Sequence, residues 1–163
     1  MSDLIVVGLS DYKISRAPNT IATYALGSCV GTAVFDKMTG IGGLSHIMLP
    51  DSTMVKGKGV VNRMKFADTA IPDMVDELIR NGAAFRNLRA KIAGGANMFE
   101  TQLIGTFGNI GERNVISVKK ELVEAGIPLI GEDTGANYGR TVFLDLNSCI
   151  YKIKSIGKEI NEL

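Results

Sequence analysis

Two side chains in the first third of the sequence could together perform nucleophilic chemistry. Cys29 follows Leu26-Gly27-Ser28, where a strand-like run meets a glycine, and His46 lies within a second strand-like run, Ile41 to Leu49. His46 is the only histidine in 163 residues. A thiol with a pKa of about 8.5 is mostly protonated at neutral pH, and an adjacent imidazolium stabilises the thiolate that attacks a carbonyl. The pair therefore predicts a cysteine nucleophile with a histidine as its acid and base.

The distance between these two residues depends on the turn that joins their strands. Val30 to Phe35 and Ile41 to Leu49 are rich in β-forming residues and flank a short linker with turn character, which predicts a β-hairpin. If Lys37-Met38 forms the centre of the turn, Cys29 lies directly opposite His46, with Cβ atoms roughly 5 Å apart. A register shifted by one residue would put the two side chains on opposite faces.

Two further features could complete such a site. A third group normally fixes the orientation of the imidazole, and Thr23 in the preceding strand could do so through its hydroxyl or its backbone carbonyl. Glycine beside the nucleophile lets backbone N–H groups approach a developing oxyanion, so Gly27, Ser28 and Cys29 are candidate donors. The alternative is a purely structural role, because free cysteine is often buried and a strand histidine is often a core residue.

The remaining candidate ligands and nucleophiles are few. Cys149 falls in a terminal hairpin with no histidine left to serve it, so we predict a structural role for it. The sequence has no secretory signal, which favours two free thiols over a disulfide. It contains no CxxC, HExxH or GxxxxGK[ST] pattern, so we expect no metal and no nucleotide cofactor.

Composition narrows the class of protein further. Hydrophobic residues make up 45% and charged residues 21%, which is typical of a folded protein, and 163 residues suit one domain over 1–163. The formal net charge of +1 gives no field that would attract nucleic acid or an anionic membrane. No apolar window approaches eighteen residues, so we expect a cytoplasmic protein without membrane insertion.

The elements that must position the candidate site are mostly strands. Apolar runs between turn residues predict strands at 4–7, 12–15, 21–26, 30–35, 41–49, 88–93, 127–130, 140–144 and 149–153, with a turn-rich loop at 131–139. Helical spacing predicts one helix within 64–78 and another around 115–125. Pro72 implies that the first helix either becomes regular close to this residue or is kinked there. Because strands and helices do not alternate regularly, we expect an α+β layered sandwich, with two helices covering a mixed, largely antiparallel sheet system.

One apolar segment could bind a protein partner. Met98 and Phe99 precede Leu103, Ile104 and Phe107, and together they could form an exposed patch. Packing in the core is the alternative interpretation.

Several motifs together resemble the CheD family, the chemoreceptor glutamine deamidases of bacterial and archaeal chemotaxis. The resemblance covers nearly the whole chain. It rests on the segments at 23–30 (TYALGSCV), 43–52 (GLSHIMLPDS), 66–70 (FADTA), 91–99 (KIAGGANMF), 110–114 (IGERN) and 131–135 (GEDTG).

The resemblance implies a fold, a site and partners. The fold would be a three-layer α/β sandwich similar to the catalytic domain of the cytotoxic necrotizing factor toxins. The site would be Cys29, His46 and Thr23, converting receptor glutamine to glutamate through a thioester, without a cofactor. The family further implies binding to cytoplasmic helices of the chemoreceptors and to CheC, a phosphatase of phosphorylated CheY, whose activity it stimulates. A non-catalytic adaptor that binds CheC or receptors through the same face is the alternative.

Overall fold

The β-rich runs of the sequence form two five-stranded sheets in the computed structural model, which describes residues 1–55, 57, 59, 61–98 and 109–163. In chain order the strands are β1 (Leu4–Val7), β2 (Tyr12–Arg16), β3 (Thr20–Leu26), β4 (Val30–Asp36), β5 (Ile41–Ile47), β6 (Leu88–Gly94), β7 (Leu129–Thr134), β8 (Arg140–Asp145), β9 (Tyr151–Lys154) and β10 (Asn161–Glu162). The helices are α1 (Ala67–Arg80) and α2 (Ile110–Ala125), with short 3-10 helices at Ser52–Met54 and Phe85–Asn87.

Both sheets are mixed and mostly antiparallel. The outer sheet has the strand order β1-β3-β8-β9-β10, and the central sheet has the order β2-β5-β4-β6-β7. Only β1 with β3 and β6 with β7 pair in parallel within these sheets. The predicted α+β class and the largely antiparallel sheets are therefore confirmed.

The described residues form two apolar cores, which separate three layers. One core lies between the two helices and the central sheet and contains Met74, Leu78 and Leu122. The other lies between the two sheets and contains Leu44 and Tyr151. No helix in the described part of the chain is long and apolar enough to cross a membrane.

Two local predictions differ from the structure. Helix α1 begins at Ala67 and runs through Pro72, so a regular start close to the proline is wrong. The helix keeps its register because Ile71, Met74 and other apolar residues on one face are buried against the central sheet. Strand β7 begins at Leu129 and continues to Thr134, across residues predicted to be a loop, because β6 supplies a parallel partner along its length.

Candidate active site

The hairpin of β4 and β5 does not have the predicted register. Gly31, rather than Cys29, pairs with His46, because the turn contains four residues, 37–40, instead of two. The Asp36 carboxylate stabilises this longer turn by accepting the backbone N–H groups of Met38 and Thr39 at 2.9 and 3.2 Å. Gly40 then returns the chain to the sheet at a φ of 75°, in the left-handed region that favours glycine.

Cys29 and His46 nevertheless face the same space between the two sheets. Cys29 immediately precedes β4 and belongs to the core between the sheets. His46 reaches across that space from the central sheet to Thr23 in the outer sheet. The parallel pairing of β1 with β3 completes the arrangement, because Val7 lies beside Thr23. The structure therefore brings Thr23 and His46 into contact across two sheets, and it places Cys29 in the core between the same sheets.

A single hydroxyl determines which nitrogen of His46 carries the proton. Thr23 Oγ1 donates to the Val7 carbonyl oxygen at 2.8 Å and lies 2.7 Å from His46 Nδ1. A hydroxyl has one proton to donate, so the Nδ1 of the ring must be the donor in the second bond. In the neutral imidazole the lone pair then lies on Nε2, where it can accept a proton.

The Nε2 atom of His46 is available for such a proton transfer. The side chain is buried, with 2% of the residue exposed, and Nε2 makes no hydrogen bond to any described residue. Burial lowers the pKa of His46, because a charged imidazole loses its hydration there. Burial therefore favours the neutral form of the ring.

The surroundings of Cys29 favour the neutral thiol form of its side chain. The residue is 9% exposed, and burial raises its pKa above the ordinary value, with its own backbone N–H opposing this shift. With a thiol of raised pKa and an imidazole of lowered pKa, the resting pair favours neutral Cys29 and neutral His46 over the thiolate–imidazolium form.

The backbone around Cys29 is held by three hydrogen bonds. We call residues 27–29, which contain this candidate nucleophile, the nucleophile loop. The carbonyl of Gly27 accepts the Ala96 N–H at 2.9 Å, that of Ser28 accepts Asn114 Nδ2 at 2.9 Å, and that of Cys29 accepts the Gly95 N–H at 2.9 Å. Every carbonyl of the loop is thus fixed from the side of β6 and α2.

These bonds also orient the candidate oxyanion donors. In a trans peptide the C=O and the following N–H point in opposite directions. Fixing the carbonyls of Gly27 and Ser28 therefore directs the N–H groups of Ser28 and Cys29 to the other side of the loop. Neither N–H donates to another residue in the described ranges, so both could donate to a bound oxyanion.

Glycines allow this close approach of β6 to the nucleophile loop. Gly94 has a φ of 114° and Gly95 a φ of 67°, both in the left-handed region. A Cβ atom on Gly94 would lie 2.2 Å from the carbonyl oxygen of Cys29, which is far inside van der Waals contact. The glycine pair in the sequence is therefore required by the backbone that supports Cys29.

The other sequence-predicted residues have different surroundings. Met98 is 46% exposed and covers Gly27, where an added Cβ would lie 3.1 Å from Met98 Cγ. Its predicted companions in the patch, Phe99, Leu103, Ile104 and Phe107, lie outside the described residues. Cys149 is buried at the β8–β9 turn, away from His46 in sequence, and both cysteines are free thiols.

One residue of this region was missed by the sequence analysis. Asn114 is buried in α2, and its side chain contacts both the nucleophile loop and the end of the histidine strand. Asn114 precedes the helix predicted around 115–125 and ends the 110–114 motif, and the sequence alone assigned it no role. Among the described residues, no group of three or more histidine, cysteine or acidic side chains could hold a metal ion.

Thr23→Val tests the tautomer assignment. Valine has nearly the same shape but leaves Nδ1–H and the Val7 carbonyl without their partner, so we expect activity to fall by about 10- to 100-fold and stability by about 1–3 kcal/mol. Thr23→Ser keeps the hydroxyl and should retain most of both. Nitrogen NMR of His46 should show the proton on Nδ1 in the wild type, and a wild type protonated on Nε2 would contradict the assignment.

A thiol and a neutral imidazole oriented by a third residue form the arrangement used by cysteine nucleophiles that attack carbonyl groups. Comparisons with known proteins define the chain more closely. A family model described as "CheD chemotactic sensory transduction" matches residues 48–155. That match begins beyond Thr23, Cys29 and His46, whereas similarity to individual relatives spans nearly the whole chain.

Three relatives illustrate this similarity. The chemoreceptor glutamine deamidase CheD of Bacillus subtilis (strain 168) is 44% identical over 153 residues, which cover 94% of this chain and 92% of the relative. The probable chemoreceptor glutamine deamidase CheD of Moorella thermoacetica is 47% identical, covering 96% of this chain and 93% of the relative. The protein with the same name from Clostridium tetani is 44% identical, covering 96% and 94%. The chain belongs to the CheD family.

Proposed function

We propose that this protein deamidates glutamine side chains of chemoreceptors, using Cys29 as nucleophile and His46 as acid and base. The family relationship supports the activity and the substrate class. The observation that carries the mechanism is the 2.7 Å contact between Thr23 Oγ1 and His46 Nδ1, because it leaves Nε2 as the proton acceptor beside the core that contains Cys29. No other histidine in the sequence could replace it.

The first half of the reaction releases ammonia. Cys29 Sγ forms a bond to the carbonyl carbon of the glutamine side chain while its proton passes to His46 Nε2. The N–H groups of Ser28 and Cys29, and the backbone of Gly27 that precedes them, form the candidate oxyanion site. When the tetrahedral intermediate collapses, the C–N bond breaks and the proton on Nε2 goes to the departing nitrogen, leaving a thioester.

The second half restores the enzyme. A water molecule attacks the thioester carbon and gives a proton to His46 Nε2. The C–S bond then breaks and the sulfur takes the proton from Nε2, which restores the neutral thiol. The carboxylic acid that forms loses its remaining proton to solvent and becomes glutamate. The receptor gains one negative charge for each converted side chain.

We propose that the three layers of 1–163 act as one CheD-like deamidase domain, with a fold similar to that of the cytotoxic necrotizing factor catalytic domain. It would act in the cytoplasm, on cytoplasmic receptor helices. We also propose that it binds and stimulates CheC, with Met98 and Phe99 in the contact surface. The exposed position of Met98 beside Gly27 would place such a partner next to the nucleophile.

The same position of Met98 supports the alternative, a non-catalytic adaptor. Peptide mass spectrometry of a receptor cytoplasmic fragment, incubated with the protein, separates the two. A deamidase adds about one dalton to each processed glutamine, because –NH2 is replaced by –OH. An unchanged fragment that still binds the protein would favour the adaptor, and Met98→Glu would then weaken binding without any enzymatic change.

The pH profile of kcat/KM should be broad. Activity requires unprotonated His46, whose lowered pKa puts the acid limb below the ordinary histidine value of about 6.5. Activity also requires the thiol proton, which becomes the proton given to ammonia, and the raised pKa of Cys29 puts the alkaline limb above about 8.5. We therefore expect a plateau across neutral pH when rates are measured from roughly pH 5 to 10. An acid limb above neutrality would contradict a neutral resting pair.

A further inference from the structure

Asn114 joins the two chain segments that carry the proposed nucleophile and its base. Its side-chain Nδ2 donates to the carbonyl of Ser28 at 2.9 Å and to the carbonyl of Met48 at 3.0 Å. Ser28 immediately precedes Cys29, and Met48 follows His46 by two residues. One amide group therefore uses both of its N–H bonds to connect the nucleophile loop with the end of β5.

The orientation of this amide is fixed by its surroundings. If oxygen and nitrogen were exchanged, Oδ1 would face two carbonyl oxygens, which have no proton to donate. In the observed orientation Oδ1 is buried and accepts no hydrogen bond from the described residues. A buried acceptor without a partner is unfavourable for stability. An apolar residue at this position would avoid the loss of stability from a buried acceptor without a partner. What the asparagine provides instead is the pair of hydrogen bonds that joins the two carbonyls, which we call the bridge.

The hydrogen bonds of Asn114 help to fix the positions of both proposed reacting groups, the Cys29 thiol and the His46 imidazole. Because the Ser28 carbonyl and the Cys29 N–H share one trans peptide, a bond to the carbonyl orients that N–H as well as the Cys29 side chain. Helix α2 can come this close because Gly111, one turn before Asn114, has no side chain. A Cβ on Gly111 would lie 2.3 Å from the Ala96 carbonyl oxygen.

We propose that Asn114 is a positioning residue that fixes Cys29 relative to His46 and thereby sets the rate of the chemical step. This role rests on the proposed deamidase function. It predicts that loss of the bridge lowers kcat with little change in KM, because Asn114 is fully buried and does not itself present a surface to the substrate.

Ser117 provides a matched control. It lies three residues further along α2, and its Oγ donates to the Pro50 carbonyl at 2.7 Å. Ser117→Ala therefore removes a bond between the same helix and the segment after His46 without affecting the nucleophile loop. We expect it to keep kcat within about threefold of the wild type, since it moves neither reacting group.

The experiment compares Asn114→Ala, Asn114→Asp and Ser117→Ala by two measurements at a temperature where each is folded. The first is kcat and KM on a receptor fragment, and the second is the pH profile of Cys29 alkylation by iodoacetamide, followed by mass spectrometry of the Cys29 peptide. Both Asn114 variants should lose about 10²-fold in kcat, as expected for a misplacement near 1 Å, with KM little changed. Their alkylation profiles should move towards that of His46→Ala, while Ser117→Ala keeps the wild-type profile.

The opposite results would overturn the proposal. One such result is a wild-type kcat and a wild-type alkylation profile in Asn114→Ala. The other is a loss of kcat in all three variants, Ser117→Ala included, that is proportional to the drop in melting temperature. If Asn114→Ala does not fold, Asn114→Asp decides, because a protonated aspartic acid keeps the side-chain size and one O–H donor for the two carbonyls. If the wild type does not deamidate receptors, the proposed function fails, and the alkylation profiles still decide whether Asn114 positions Cys29.

Discussion

Cys29→Ala is expected to abolish deamidation, lowering kcat by on the order of 10⁴-fold or more, as removal of a catalytic nucleophile does. We expect no second thiol to replace it, because the other cysteine, Cys149, lies at the β8–β9 turn with its backbone carbonyl bound to Lys91 Nζ at 2.7 Å. The substitution removes only one buried sulfur atom, so we expect the melting temperature to change little and the circular dichroism spectrum to be unchanged.

Cys149→Ser is the matched control for this variant. It alters the other buried thiol, and serine retains the side-chain size at a position whose φ is 62°. Steady-state kinetics on a receptor fragment should show activity close to that of the wild type for Cys149→Ser. Glutamate formation by Cys29→Ala at more than a trace rate would disprove the role of Cys29.

His46→Ala should have the second largest effect, a fall in kcat of about 10³- to 10⁴-fold. The imidazole is the only group in our mechanism that takes the thiol proton and returns it to ammonia. Burial of Cys29 keeps its thiol protonated without this base, so attack should become slow at neutral pH. Activity of the variant should recover partly at alkaline pH, where the thiolate forms unaided.

Ser45→Ala controls for the disturbance of β5. Ser45 precedes His46 and is fully buried, and its hydroxyl makes no hydrogen bond to the described residues. Its removal should therefore leave activity near the wild-type level and stability equal or higher. Equal losses of activity in Ser45→Ala and His46→Ala, measured under the same conditions, would show that disruption of the strand explains the effect of His46→Ala.

The candidate residues could be predicted from sequence more reliably than their geometry. Cys29, His46 and Thr23 stand out by residue type, by their adjacent strands and by the family motifs around them. The predicted two-residue turn was a poor choice, because Lys37 and Met38 disfavour the positive φ angles it requires, whereas Asp36 and Gly40 favour the observed four-residue turn. The contact between the two sheets left no comparable signal in the sequence.

Long-range contacts explain the other differences. Strand β7 contains Glu132 and Asp133, two residues that are more typical of loops. They form ion pairs with Lys119 and Arg140, respectively. Strand β6 supplies the backbone hydrogen-bonding partner for β7. Asn114 looked like an unremarkable polar residue in α2 because its two acceptors lie 86 and 66 residues away in sequence. Such contacts leave no periodic signal in the chain.

The most direct test of the mechanism labels the nucleophile. A receptor peptide whose target glutamine is replaced by a chloroketone analogue should alkylate the attacking sulfur irreversibly, since thiolates displace chloride at such a carbon. We predict one adduct per protein molecule, located by peptide mass spectrometry on Cys29, with activity lost in proportion to labelling and protection by the unmodified receptor fragment. Labelling of another residue in step with inactivation, or full activity after Cys29 is labelled, would contradict the account.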